Sequence, residues 1–134
     1  MFNTQALTLL ERSLDAVSLR HRVIANNIAN VDTPNFKRSE VRFEQYLLQE
    51  IEAGKRRIEG KRTDARHIPI GRSSSSSLRA EVVTDDSTSF NNNNNNVDIE
   101  YEMTLLAENQ LKYNLLIERT NGYFKSIRTA IDRR

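Results

Sequence analysis

Two stretches of this chain, one towards each terminus, repeat apolar residues at alternating steps of three and four, and the segment between them does not. Leu7, Leu10, Leu14, Val17, His21, Ile24, Ile28 and Val31 make the first run. Ile99, Met103, Leu106, Gln110, Tyr113, Ile117, Thr120, Phe124, Ile127 and Ile131 make the second. A mean step of 3.5 keeps each set on one stripe of an α-helix and against a coiled partner. The pattern predicts a mainly α fold: long N- and C-terminal helices packed as a coiled-coil-like hairpin around a loop-rich middle. The chain reads as one domain over residues 1–134, with helices at 4–31 and 97–132 and the middle segment at 32–96.

The helix limits follow from local chemistry. Asp32-Thr33-Pro34 ends the first helix, because proline disfavours helical geometry in the residue before it. Asn26, Asn27 and Asn30 crowd its last turns, where asparagine is a poor interior residue and its amide seeks hydrogen bonds. Val41, Phe43, Tyr46, Leu47 and Ile51 suggest a short helix over 41–51, which Gly54 breaks. Beyond Gly60 the periodicity is lost, with a serine run at 73–77 and an asparagine run at 91–96, compositions that favour loops. Ile68–Ile70 and Ala80–Thr84 are the short extended candidates. In the second long helix acids gather early (Asp98, Glu100, Glu102, Glu108) and bases later (Lys112, Arg119, Lys125, Arg128), as the helix dipole favours.

Both helices carry apolar residues off these stripes. Phe2, Leu9, Ala16 and Val23 share a second row of the first helix, with Leu19 near it. Tyr101, Leu105 and Leu115 lie off the main stripe of the second helix, and Leu116 and Tyr123 flank it. Two paired helices bury one stripe each, so the remaining rows call for further partners, chiefly neighbouring copies. The polar members of the stripes, His21, Gln110 and Thr120, read as residues that specify pairing, not as ligands.

Composition excludes several function classes. The 134 residues contain no cysteine and only two histidines, so neither a disulfide framework nor a thiolate or histidine metal site is expected. No cofactor is expected. Isolated glycines form no phosphate loop, and no base, nucleophile and orienting group share a plausible pocket, so the chain does not read as an enzyme acting on a small-molecule substrate. No window is long and apolar enough for a membrane span, and polar residues from Asn3 to Arg12 interrupt any cleavable signal peptide. The net charge of +2 conceals a basic stretch at 53–72, where Lys55, Arg56, Arg57, Lys61, Arg62, Arg66 and Arg72 outnumber Glu59 and Asp64 by five. That stretch could serve a helical module binding nucleic acid or anionic membrane, but no aromatic residues interleave its charges, which favours a solvated linker and no nucleic-acid partner.

One segment carries more than periodicity. Ala25 to Arg38 reads Ala-Asn-Asn-Ile-Ala-Asn-Val-Asp-Thr-Pro-Asn-Phe-Lys-Arg. It resembles the N-terminal signature of bacterial flagellar rod and hook proteins through Asn26, Asn27, Asn30, Asp32, Thr33, Pro34, Phe36 and Lys37. Asn35 stands where that family usually has glycine; asparagine also tolerates left-handed backbone geometry, so the turn is expected to persist. The stretch from Asn95 through Glu100, with Glu102-Met103, Ala107–Leu111, Tyr113, Phe124-Lys125 and Thr129–Ile131, is similar to the proximal rod members of the family, as are Thr63, Arg66, His67 and Ile68. The resemblance covers residues 5–70 and 95–131.

It implies a structural subunit of the flagellar basal-body rod in the periplasm, exported through the flagellar type III apparatus without a cleavable signal peptide. It further implies helical assembly with copies of itself, other rod proteins and the basal-ring adaptor FliE into a shaft that transmits torque. Packing within and between subunits would then fall to Leu7, Leu10, Leu14, Val17, Ile24, Ile28, Val31, Met103, Leu106, Tyr113, Ile117, Phe124 and Ile127.

Overall fold

The computed structural model describes residues 4–48, 80–87 and 94–132. Helix α1 spans Thr4–Ala29, strand β1 Ser39–Arg42, and a helical segment α2 is described over 44–48. Strand β2, Glu81–Thr84, and helix α3, Ile99–Asp132, complete the order. The expected strand at Ile68–Ile70, the serine run and the basic stretch at 53–72 lie outside the described residues.

The two long helices form an antiparallel hairpin: Asn27 near the end of α1 meets Glu102 near the start of α3, whereas Val17, farther back in α1, meets Asn109. Their 26 and 34 residues correspond to rods of about 39 and 51 Å. At the clasped end, β1 and β2 pair antiparallel with Ser39 opposite Thr84 and Arg42 opposite Glu81.

The chain leaves α1 through tightened turns, Asn30 N donating to Asn27 O at 3.1 Å and Val31 N to Ile28 O at 3.3 Å. The helix thus stops at Ala29, two residues before the expected Val31. Asn35 has φ 60°, the left-handed geometry that its place in the turn requires.

The segment after the turn differs from expectation. Val41 and Phe43 are buried while Arg42 between them is exposed, a period of two, not 3.6. The apolar residues assigned to one helix therefore divide, Val41 to β1, Phe43 to the junction and Tyr46 and Leu47 to α2. Leu47 N donates to Phe43 O at 3.0 Å in the first turn of that helix. Strand β2 forms within the extended candidate at Ala80–Thr84.

α1 packs largely as its pattern indicates. Val17 and Ile24 are buried, and Leu7, Leu10, Leu14, Ile28 and Val31 are half-buried. His21 is exposed, and Ala16, from the second row, is buried. In α3 the buried face is turned by one row. Its members are Glu102, Leu106, Asn109, Leu116, Thr120, Tyr123 and Ile127, with Leu105 half-buried beside them. Leu106, Thr120 and Ile127 belong to the expected stripe. Met103, Gln110, Tyr113, Ile117, Phe124 and Ile131 are exposed, Met103 at 53% and Ile131 at 62%. The cause is chemical: the preferred row contains Glu102 and Asn109, which apolar periodicity does not count, and both find partners on the α1 side.

This assignment of faces is testable by chemical denaturation of the isolated chain. Ile24→Ala should lower stability by about 2–4 kcal/mol through lost burial and a residual cavity. Met103→Ala should stay within about 0.5 kcal/mol, as exposed sites do.

Candidate functional site

The densest chemistry lies where the end of α1, the following turn, β1 and the start of α3 meet. Asn27, 1% exposed, acts as a two-sided connector. Its Nδ2 donates to Ser39 O at 2.8 Å and to Glu102 Oε2 at 3.1 Å, and its Oδ1 accepts from Ser39 N at 3.0 Å. One side chain therefore binds the backbone of β1 in both directions and joins it to α3.

Glu102, also 1% exposed, receives its counter-charge from Arg38, whose Nε lies 2.9 Å from Oε1. The Arg38 guanidinium also stands over the Tyr101 ring, 5.1 Å from its centroid. A buried carboxylate without such partners would be strongly destabilising; here both oxygens are engaged. The Arg38 backbone is held as well, its N donating to Asn96 Oδ1 at 2.7 Å and its O accepting from Asp85 N at 3.0 Å.

The end of the asparagine run keeps the expected loop backbone, but its side chains are buried and complete the clasp. Asn95, 0% exposed, directs Nδ2 at the carbonyls of Asn30, Val31 and Thr33, each at 2.9 Å. These carbonyls belong to the turn that follows α1, where Asn30 O also accepts from Thr33 N at 3.1 Å and Thr33 O from Phe36 N at 3.3 Å. Asn95 Oδ1 accepts from Val97 N at 2.7 Å, and Asn96 Nδ2 donates to Asp85 O at 2.8 Å. Composition failed here because these amides are buried by hydrogen bonding, not by apolar contact. Next in the chain, Asp98 caps α3 by accepting from Glu100 N at 3.0 Å and Tyr101 N at 3.3 Å.

The signature residues separate by role. Asn27 is central, Asn30 contributes its carbonyl and bonds Asn26 O at 2.8 Å, and Phe36 and Lys37 are half-buried. Asn26, Asp32, Thr33 and Pro34 are exposed along the turn. Sequence reasoning missed Arg38, Asn95, Asn96, Glu102 and Asn109 as participants. A signal was present for two of them: Glu102 and Asn109 stand seven apart in line with Leu116 and Tyr123.

A second tie joins α1 to the start of α2: Arg20 Nη2 donates to Val41 O at 3.4 Å and pairs with Glu44. Desolvation raises the Glu44 carboxyl, but the Arg20 hydrogen bond and charge, with its own backbone amide, outweigh it and the group titrates below its ordinary value. Tyr46 hydrogen-bonds Glu81, and that bond and the nearby negative charge raise its hydroxyl pKa. Among the described residues, no group of three or more His, Cys, Asp or Glu could hold a metal ion, and no helix is long and apolar enough to cross a membrane.

Residues 10–37, which run from α1 through the turn into the clasp, match the family model described as flagella basal body rod protein. The class is therefore that of structural components of the flagellar basal-body rod. The chain is 42% identical over 122 residues to the flagellar basal body rod protein FlgB of Bacillus subtilis, covering 91% of this chain and 89% of that one. It is 38% identical over 122 residues to FlgB of Borreliella burgdorferi, at 90% of each chain, and 26% identical over 129 residues to FlgB of Escherichia coli, at 94% and 92%. The chain belongs to the FlgB family of flagellar basal body rod proteins.

Two measurements check the clasp. Asn27→Ala should cost about 1–3 kcal/mol in unfolding free energy, because it strips partners from a buried carboxylate and from the Ser39 backbone. The lowered Glu44 pKa means that the Arg20 pair contributes fully above the unfolded carboxylate pKa and is lost as pH falls through the folded value. Glu44 is half exposed, so solvent screening keeps the effect below about 1 kcal/mol; Glu44→Gln should remove that part of the acid dependence.

Proposed function

We propose that this chain is a subunit of the proximal rod of the bacterial flagellar basal body, assembling helically in the periplasm into the shaft that transmits torque for motility. Its partners are copies of itself, the other rod proteins and the basal-ring adaptor FliE. It reaches them through the flagellar type III export apparatus.

The observation that carries this reading is the row of α3 left over once the hairpin has closed. Met103, Ile117, Phe124 and Ile131 stay on the surface at heptad spacing, with Leu111 and Leu115 exposed nearby. A solvated helix gains nothing from a periodic apolar row, whereas a helix packed among neighbouring subunits buries it. Intrachain packing uses one face of α3, and intersubunit packing uses the next. Torque transmission requires rigid repeated contacts, and head-to-tail contacts that do not close give a helical assembly.

The test uses a strain lacking the gene, complemented with Ile117→Asp or Phe124→Asp. Both variants should fail to restore swimming and rods visible by electron microscopy, while the purified chains keep parental stability within about 0.5 kcal/mol. Normal flagella with either variant would refute the assignment of this face.

A further inference from the structure

Glu102 and Asn109 are nearly sealed from water, at 1% and 2% exposure, yet they occupy the row that α3 turns to α1, in line with Leu116 and Tyr123. Stability is a poor reason for their presence. A buried ion pair is often no more stable than an apolar replacement of similar size. Asn109 is only half satisfied: Nδ2 donates to Val17 O at 3.0 Å, while its buried Oδ1 has no hydrogen-bond partner among the described residues.

The two residues share the source of their partners. Asn27 and Arg38 serve Glu102, and the Val17 carbonyl serves Asn109, so all come from α1 and the chain just beyond it. The same α3 row set against α3 of another copy would meet none of these groups. A parallel pair would bring two Glu102 carboxylates together in a dry seam, and an antiparallel pair would set each against the apolar end of the row. The apolar residues alone cannot discriminate, because a heptad row accepts another heptad row, and polar residues in a seam are the known means of choosing partners.

We propose that Glu102 and Asn109 are pairing-specificity residues, which direct this face of α3 to α1 and bar it from pairing with α3 of a second copy. The proposal goes beyond the rod assignment and stands without it. It matters for any chain whose helices bear more than one apolar row and meet many copies of themselves.

The test compares the full-length parent with the R38L/E102L/N109L triple variant, each carrying L116C in the same row as a reporter. The triple variant removes both members of the ion pair, so that neither charge is left without its partner. The chain has no cysteine of its own, so the reporter is unambiguous. It should keep its helix content by circular dichroism and associate at a concentration roughly tenfold lower in analytical ultracentrifugation. A flexible bifunctional thiol reagent should link its copies through the reporter, and should not link the parent. Loss of helix in the triple variant would overturn the proposal, since the polar groups would then be holding the hairpin together. Unchanged association, or stronger association without reporter cross-linking, would overturn it too, since copies would not be meeting through this face.

Discussion

A carboxylate removed from water must find its counter-charge and its hydrogen bonds within the protein, and Glu102 finds them at two distant places along the chain. Asn27 comes from the end of α1, Arg38 from the entry to β1, and the carboxylate itself from the start of α3. The group cannot be buried unless those segments arrive together. The rest follows from that condition: Asn27 fixes Ser39, Ser39 starts the strand that pairs with β2, and Asn96 bonds both Arg38 and Asp85. The closed end of the hairpin is thus defined by polar geometry, and the apolar rows extend the pairing away from it.

That division of labour leaves α3 with two chemically distinct surfaces. Its buried row is the more polar one, and its exposed row includes Met103, Ile117, Phe124 and Ile131. A free-standing two-helix protein would be expected to make the opposite choice, burying its oiliest face. For a structural component of the flagellar rod the arrangement is coherent, because hydrogen bonds that need specific partners are made within the subunit. The less discriminating apolar surface remains available for neighbours.

The family signature gains a physical meaning from the same geometry. Asn27 and Asn30 suggested only that amides near a helix end would bond to something. The structure gives different answers for each: the Asn27 side chain reaches β1 and α3, whereas the Asn30 side chain bonds locally and its carbonyl serves Asn95. Asn35 adopts φ 60° in the turn after α1, a left-handed geometry that asparagine tolerates better than most residues. The family's fold was legible here because helix stops and left-handed turns are set by local sterics.

What the sequence determined by itself was the number of the long helices and their ends to within two residues, the short strand near Ala80–Thr84 and the presence of several apolar rows. All of these depend on residues close together in the chain. Which row of α3 faces inward was decided only by the tertiary structure, as were the division of Val41–Leu47 between strand and helix and the burial of Asn95 and Asn96. A heptad shows where side chains share a face, but burial of that face depends on what lies opposite. The decisive groups opposite Glu102 and Asn109 belong to residues 64 to 92 positions away, a relation with no period to reveal it.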